Sequence, residues 1–144
     1  MKTNIKILTS KKKFIVYHLP AIIYAIVIIL VSSIPNLKTP SLRFLAFDKL
    51  AHFFEYAVFA SLIFRSFSNL FSSNKISRIF LLSALFLSIF AFADEFHQRY
   101  IPGRFFDYYD LLTDFCGAFL VLIFLSLRFK FQRKEFNQKQ LLRK

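Results

Sequence analysis

The sequence predicts an all-α integral membrane protein, a four-helix bundle with short loops and both termini in the cytoplasm. Three observations predict it. The composition is 56% hydrophobic and 19% aromatic, with 22 Phe in 144 residues and a mean hydropathy of +0.50. A soluble domain of this size balances its apolar residues with more charge. Four apolar runs recur along the chain, each near the length that crosses a bilayer. The basic residues gather at the ends of those runs and divide unequally between the two sides. The length fits one domain, 1–144, and no repeat or low-complexity linker divides it.

The first run, 14–34 (FIVYHLPAIIYAIVIILVSSI), holds no formally charged residue. Pro20 is tolerated near its start because a membrane helix can re-satisfy the freed carbonyl. The KKK ahead of it fits a signal peptide, but the run is too long and lacks an A-x-A-like exit, so a retained span is expected. The second run, 50–67, is interrupted by His52, Glu55 and Arg65. The third, 79–93 (IFLLSALFLSIFAFA), is only about 22 Å long at helical rise. That length sets Asp94 and Glu95 at the membrane boundary. The fourth, 111–127, carries Asp114 in its first turn. The tail, 128–144, alternates basic and aromatic residues at first. It reads as a short amphipathic helix on the inner interface or as a solvated, positively charged segment.

With both termini inside, fifteen of the twenty basic residues lie on the cytoplasmic side, among them Lys2, Lys6, Lys75, Arg143 and Lys144. Lys38, Arg43, Lys49, Arg99 and Arg104 stay outside. The acids divide the other way, and only Glu135 is inside. Lys and Arg therefore favour this orientation three to one. The net charge of +12 and pI near 10.1 would otherwise invite a nucleic-acid reading. Because the basic residues flank spans instead of lining one face, no nucleic-acid partner is expected, and attraction to anionic membrane lipid is. Cys116 is the only cysteine, which excludes an intrachain disulfide and reads as an inert structural thiol.

The acids concentrate in DEFHQRYIPGRFFDYYD, 94–110, and just beyond it. On the second span, Asp48, His52, Glu55 and Tyr56 stand at i, i+4, i+7 and i+8, one helical stripe, with Lys49 beside them. At the end of the third, Asp94 and Gln98 share a face if the helix continues that far. On the fourth, Asp107, Asp110, Asp114 and Gly117 form another stripe. A carboxylate facing lipid costs about 2.5–3.5 kcal/mol at a helix centre, so these groups should turn toward each other, water or cations. Asp110 and Asp114 meet the favourable end of their helix dipole, whereas Asp94 and Glu95 meet the unfavourable one. The latter therefore need a partner, and Arg104 is the first candidate. Pro102 and Gly103 suit the central positions of a type II turn that carries Arg104 back over the end of the third helix. His18 reads as a satisfied interfacial histidine and His97 as a solvated loop residue.

The segments FDKLAHFFEYAVFA and DEFHQRYIPGRFFDYYDLLTDFCG resemble the VanZ-like family of small bacterial membrane proteins. Its pattern D-K-x-x-H-F-x-x-Y, D-E-x-x-Q, P-G-R and D-x-x-x-N-x-x-G is met by Asp48, Lys49, His52, Phe53 and Tyr56. It is met again by Asp94, Glu95, Gln98, Pro102, Gly103, Arg104, Asp110 and Gly117. SSIPNLK after the first span is shared too, and the likeness covers roughly 15–127. Asp114 departs from the usual Asn and adds a negative charge. Val121 departs from a second small residue, which puts the closest helix approach there in doubt. The resemblance implies a multi-pass protein of a bacterial plasma membrane and a link to low-level teicoplanin resistance.

Three readings of the cluster stand side by side. It is polar glue between helices, for example Asp94 with Arg104 and His52 with Glu55 or Asp110, each hydrogen bond contributing about 0.6 kcal/mol. It is a binding or transport module whose outward acidic pocket takes a cationic or zwitterionic group of a membrane lipid, a cell-wall precursor or a glycopeptide. Or it is a membrane-embedded enzyme in which carboxylates and a histidine hold a divalent cation or act as general base. No H-E-x-x-H or G-x-S-x-G motif is present, so no cofactor or metal is expected and the binding reading leads. Short helices bury little surface, so a homo-oligomer is a further expectation.

Overall fold

The structure, a computed structural model, describes residues 10–35, 42–71 and 76–142, without the side chains of 42–46 and 137. It is 87% helical, with no strand among the described residues. The helices are α1 (Ser10–Tyr17), α2 (Leu19–Ser32), α3 (Leu42–Leu70), α4 (Ile76–Gln98) and α5 (Tyr108–Leu141). Four stretches are long and apolar enough to cross a bilayer: Ser10–Ser32, Phe47–Leu70, Ile76–Gln98 and Tyr108–Leu141. Lys2, Lys6, Lys38, Lys75, Arg143 and Lys144, which entered the charge pattern, lie outside the described residues, as does the NLK of SSIPNLK.

The first predicted span is two helical segments. Pro20 has no N–H to give to the carbonyl four residues back, and the ladder is interrupted at His18. His18 N–H still reaches Phe14 O at 2.9 Å, and Ile22 N–H reaches His18 O at 3.2 Å, so the segments run on as one span. At its far end the Ser33 hydroxyl donates back to Ile29 O at 2.6 Å, and Ser32 Oγ lies 2.8 Å from Ile28 O. Pro35 then cannot continue the helix.

The other helices outlast their apolar runs. α4 holds Asp94, Glu95 and Gln98 in its last turn, all buried, because those side chains meet other helices and not lipid. Its chain then turns at Pro102–Gly103. Gly103 has φ 76°, and Arg104 N–H reaches Ile101 O at 3.1 Å, the expected type II turn. α5 is about 51 Å long, well beyond the bilayer's hydrocarbon thickness of about 30 Å. The tail is thus no separate interfacial helix, since no Gly or Pro interrupts 118–141 and α5 continues to Leu141, with its described side chains beyond 129 exposed.

α3 and α5 pack most extensively, and Gly117 allows it. A Cβ there would lie 2.1 Å from the carbonyl oxygen of Phe53. The core around this contact includes Tyr56, Phe59, Ile79, Leu87, Ala118 and Leu122. Phe59 and Phe90 meet edge to face with centroids 4.9 Å apart. The outside of the bundle is covered by Leu30, Leu81, Ile89 and Phe124, each more than half exposed. So large an apolar surface belongs in lipid, and the chain is a multi-pass membrane protein. The first span is peripheral: 11% of its apolar window is buried, against 39% for α3.

Candidate functional site

α3, α4 and α5 bring their polar stripes together at one end of the bundle. His52 is 6% exposed, Asp94 and Arg104 5%, Gln98 1%, and Glu95, Asp110 and Asp114 0%. Asp48, Lys49, Glu55 and Asp107 are half-buried at the edge. Tyr56 is fully buried one turn beyond His52.

Near the edge, the Lys49 ammonium donates to Asp107 Oδ2 at 2.7 Å and to Asp110 Oδ1. Asp107 is the N-cap of α5, so it precedes the stripe instead of lying on it. Its Oδ1 accepts from Tyr109 N–H at 2.8 Å. Its own N–H donates to Glu95 Oε2 at 3.0 Å. Gln98 Nε2 donates to Glu95 Oε1 at 3.2 Å. Deeper, His52 Nδ1 stands 3.0 Å from Asp114 Oδ1, and its Nε2 stands 4.0 Å from Asp110 Oδ2. Glu55 makes no hydrogen bond among the described residues but lies within electrostatic reach of His52, Asp94 and Asp114.

Arg104 reaches the end of α4, as its turn predicts, but its partner is not Asp94. Nη1 donates to Gln98 Oε1 at 3.1 Å, while Nε and Nη2 donate to Ile34 O and Val31 O at 3.2 and 3.0 Å. Its planar fork thus adds donors to two carbonyls at the end of α2, of which Val31 O also accepts from Ile34 N–H at 3.1 Å. Asp94 instead accepts from Ser32 Oγ at 2.6 Å. His97 is not a solvated loop residue. α4 extends past it, and its Nε2 lies 3.0 Å from Ser33 Oγ. Likewise His52 engages Asp114 and not Glu55. Ser32 and Ser33 are the residues that sequence reasoning missed. Two serines directly before Ile-Pro at the end of an apolar span were the available signal.

His18 is satisfied at the opposite end, where its Nδ1 stands 2.7 Å from Ser66 Oγ. Cys116, expected to be an inert structural thiol, is exposed on α5.

Deep in the cluster, Asp114 Oδ2 and the Tyr56 hydroxyl are buried without a hydrogen-bond partner among the described residues. Two donor sets are close enough to share one cation, namely Asp48, His52 and Asp110, and His52, Glu95 and Asp114. Within each set the donor atoms lie within 4.8 Å of one another. Exposed aromatic rings ring the site: Phe47, Tyr100, Phe105, Tyr108 and Tyr109 are each 69–77% exposed. Aromatic belts of this kind sit at the membrane–water interface.

A family model described as VanZ/LLP1 matches residues 3–129, which include every residue of the cluster. No curated protein and no solved structure matches the chain.

Proposed function

We propose, from the premise that the chain belongs to the VanZ/LLP1 family, that it binds the cationic or zwitterionic headgroup of a cell-envelope amphiphile. Its place on this reading is a bacterial plasma membrane, with both termini cytoplasmic and the cluster opening outward. The ligand is a lipid, a lipid-linked wall precursor or a glycopeptide of the teicoplanin type, and engagement of its amine would contribute to resistance.

One observation carries the reading. Among the described residues the cluster's carboxylates outnumber Lys49, Arg104 and His52, and they lie beside a belt of exposed aromatics. Such a belt fixes the site at the depth of lipid headgroups. Asp48 and Glu55 at the half-buried edge are the groups that an incoming ammonium would meet first, and charge-assisted hydrogen bonds favour it there.

A second reading is favoured for part of the cluster. Ser32, Ser33, Asp94, His97, Gln98 and Arg104 form a brace that ties the end of α2 to the end of α4. These residues hold the bundle, and the ligand-facing role falls to α3 and the start of α5.

Native mass spectrometry of protein extracted in gentle detergent tests the proposal. The expected result is a co-purified amine-bearing amphiphile that is lost in Asp48→Asn/Glu55→Gln. A chain that flies bare, and whose thermal midpoint is unmoved by added aminolipid or teicoplanin, would refute it. The same spectra report the oligomeric state, for which a dimer is proposed.

A further inference from the structure

We infer that His52, Glu95 and Asp114 form a site for one divalent transition-metal cation, with Tyr56 at its floor. The site lies deeper than the headgroup edge, uses different residues, and does not depend on the headgroup reading.

The donors come from three helices. His52 is on α3, Glu95 on α4 and Asp114 on α5, and all three are buried. One ligand atom from each falls within a 4.8 Å envelope. Metal bonds to imidazole nitrogen or carboxylate oxygen of about 2.0–2.2 Å place donors at most about 4.3 Å apart. Three donors around one ion sit closer still, about 3.3–3.6 Å apart, so the side chains draw together by up to about 1.5 Å on binding.

Two further observations point to a ligand. Asp114 Oδ2 is buried in a fully enclosed side chain and has no hydrogen-bond partner among the described residues. The Tyr56 hydroxyl is likewise buried without one. Tyr56 follows His52 by one helical turn on the buried face of α3, and its hydroxyl lies within electrostatic reach of Asp114, Asp94, Glu55 and Glu95. Buried polar groups are almost always satisfied. A cation between His52, Glu95 and Asp114 takes up the open carboxylate oxygen, and water on that cation takes up the phenol.

The chemistry also selects between the two donor sets. Asp110, in the upper set, already carries the Lys49 ammonium. The lower set joins one imidazole to two carboxylates, so a dication leaves it neutral when His52 is neutral. One nitrogen and two oxygen donors suit Mn²⁺ or Zn²⁺ better than Mg²⁺ or Ca²⁺, which prefer oxygen alone. The outer contacts fit as well. Glu95 is oriented by Gln98 Nε2 and by the Asp107 N–H, the kind of support that metal-binding carboxylates receive.

The test uses the full chain in detergent, stripped with EDTA and dialysed, with no amphiphile added. Mn²⁺ binding is followed by electron paramagnetic resonance and Zn²⁺ by elemental analysis, each alongside the thermal midpoint. We expect about one equivalent bound at micromolar metal and a raised midpoint. Glu95→Gln and Asp114→Asn should each weaken binding at least tenfold, while Asp48→Asn binds as wild type. Helicity and elution volume show which variants fold. Failure of the wild-type chain to bind a stoichiometric ion overturns the inference, whatever the variants do. So does loss in Asp48→Asn with retention in Glu95→Gln, which would move the ion to the upper set.

Discussion

Replacing Gly117 by alanine should damage both the α3–α5 contact and the cluster above it. The added Cβ would lie 2.1 Å from Phe53 O, 3.0 Å from its carbonyl carbon and 3.2 Å from its Cα. These are backbone atoms of a helix, so no side chain can swing aside. Restoring an ordinary contact of 3.4 Å moves the two backbones roughly 1.3 Å apart. Asp114 is three residues, less than one turn, from Gly117, and its 3.0 Å contact with His52 crosses the same gap. Opened by even 1 Å, that contact is no longer a hydrogen bond. Overpacking costs about 1–3 kcal/mol, and an unsatisfied buried carboxylate about as much again. The expected loss is therefore about 3 kcal/mol, roughly a hundredfold in the folded-to-unfolded ratio. Reversible unfolding in mixed micelles, followed by far-ultraviolet circular dichroism, measures it. Cys116→Ala, on the exposed neighbouring position, is the control and should stay within about 0.5 kcal/mol of wild type. A Gly117→Ala protein as stable as that control would refute the close approach.

Arg104→Ala should cost about 3 kcal/mol in the same assay, because it strips Val31 O, Ile34 O and Gln98 of one shared donor. Arg104→Lys should recover only part of that, since one ammonium cannot copy the fork. Ser32→Ala should cost about 1–2 kcal/mol by removing the 2.6 Å bond to buried Asp94. Gly103→Ala should cost about 1–2 kcal/mol, the penalty for a side chain at positive φ, whereas Pro102→Ala should cost less. In a Cys116→Ala background, cysteine at the exposed positions 105 and 138 tests the orientation. An impermeant maleimide should label position 105 in intact cells and position 138 only after lysis, and the reverse pattern refutes cytoplasmic termini.

The helical class and the residues of the cluster were legible because two strong signals act locally. Long apolar runs force helices in lipid, and acids that cannot face lipid must share a stripe. Asp48, His52 and Tyr56 on α3 show this directly. The partners were less legible. Arg104 is the cation that the Pro102–Gly103 turn carries back toward Asp94, yet its fork fits two carbonyls at the end of α2, seventy and more residues away. That choice depends on where α2 docks, which no periodicity encodes. The extent of α4 was underestimated because hydropathy reports lipid contact. Residues 94–98 are shielded by other helices and stay helical without being apolar. The same reasoning failed for His97, whose serine partner lies across the bundle.

α5 also acts as a ruler. Asp110 and Arg128 are eighteen residues apart on one unbroken helix, about 27 Å along its axis, close to the oily thickness of a common membrane. The helix cannot ride up without drawing exposed Arg128 into hydrocarbon, nor sink without carrying the half-buried Lys49–Asp107 edge with it. Its depth is therefore pinned from both ends, and everything bolted to α5 inherits that height. In a markedly thicker sheet of lipid the uncharged stretch of the rod is too short, and the film must thin around it.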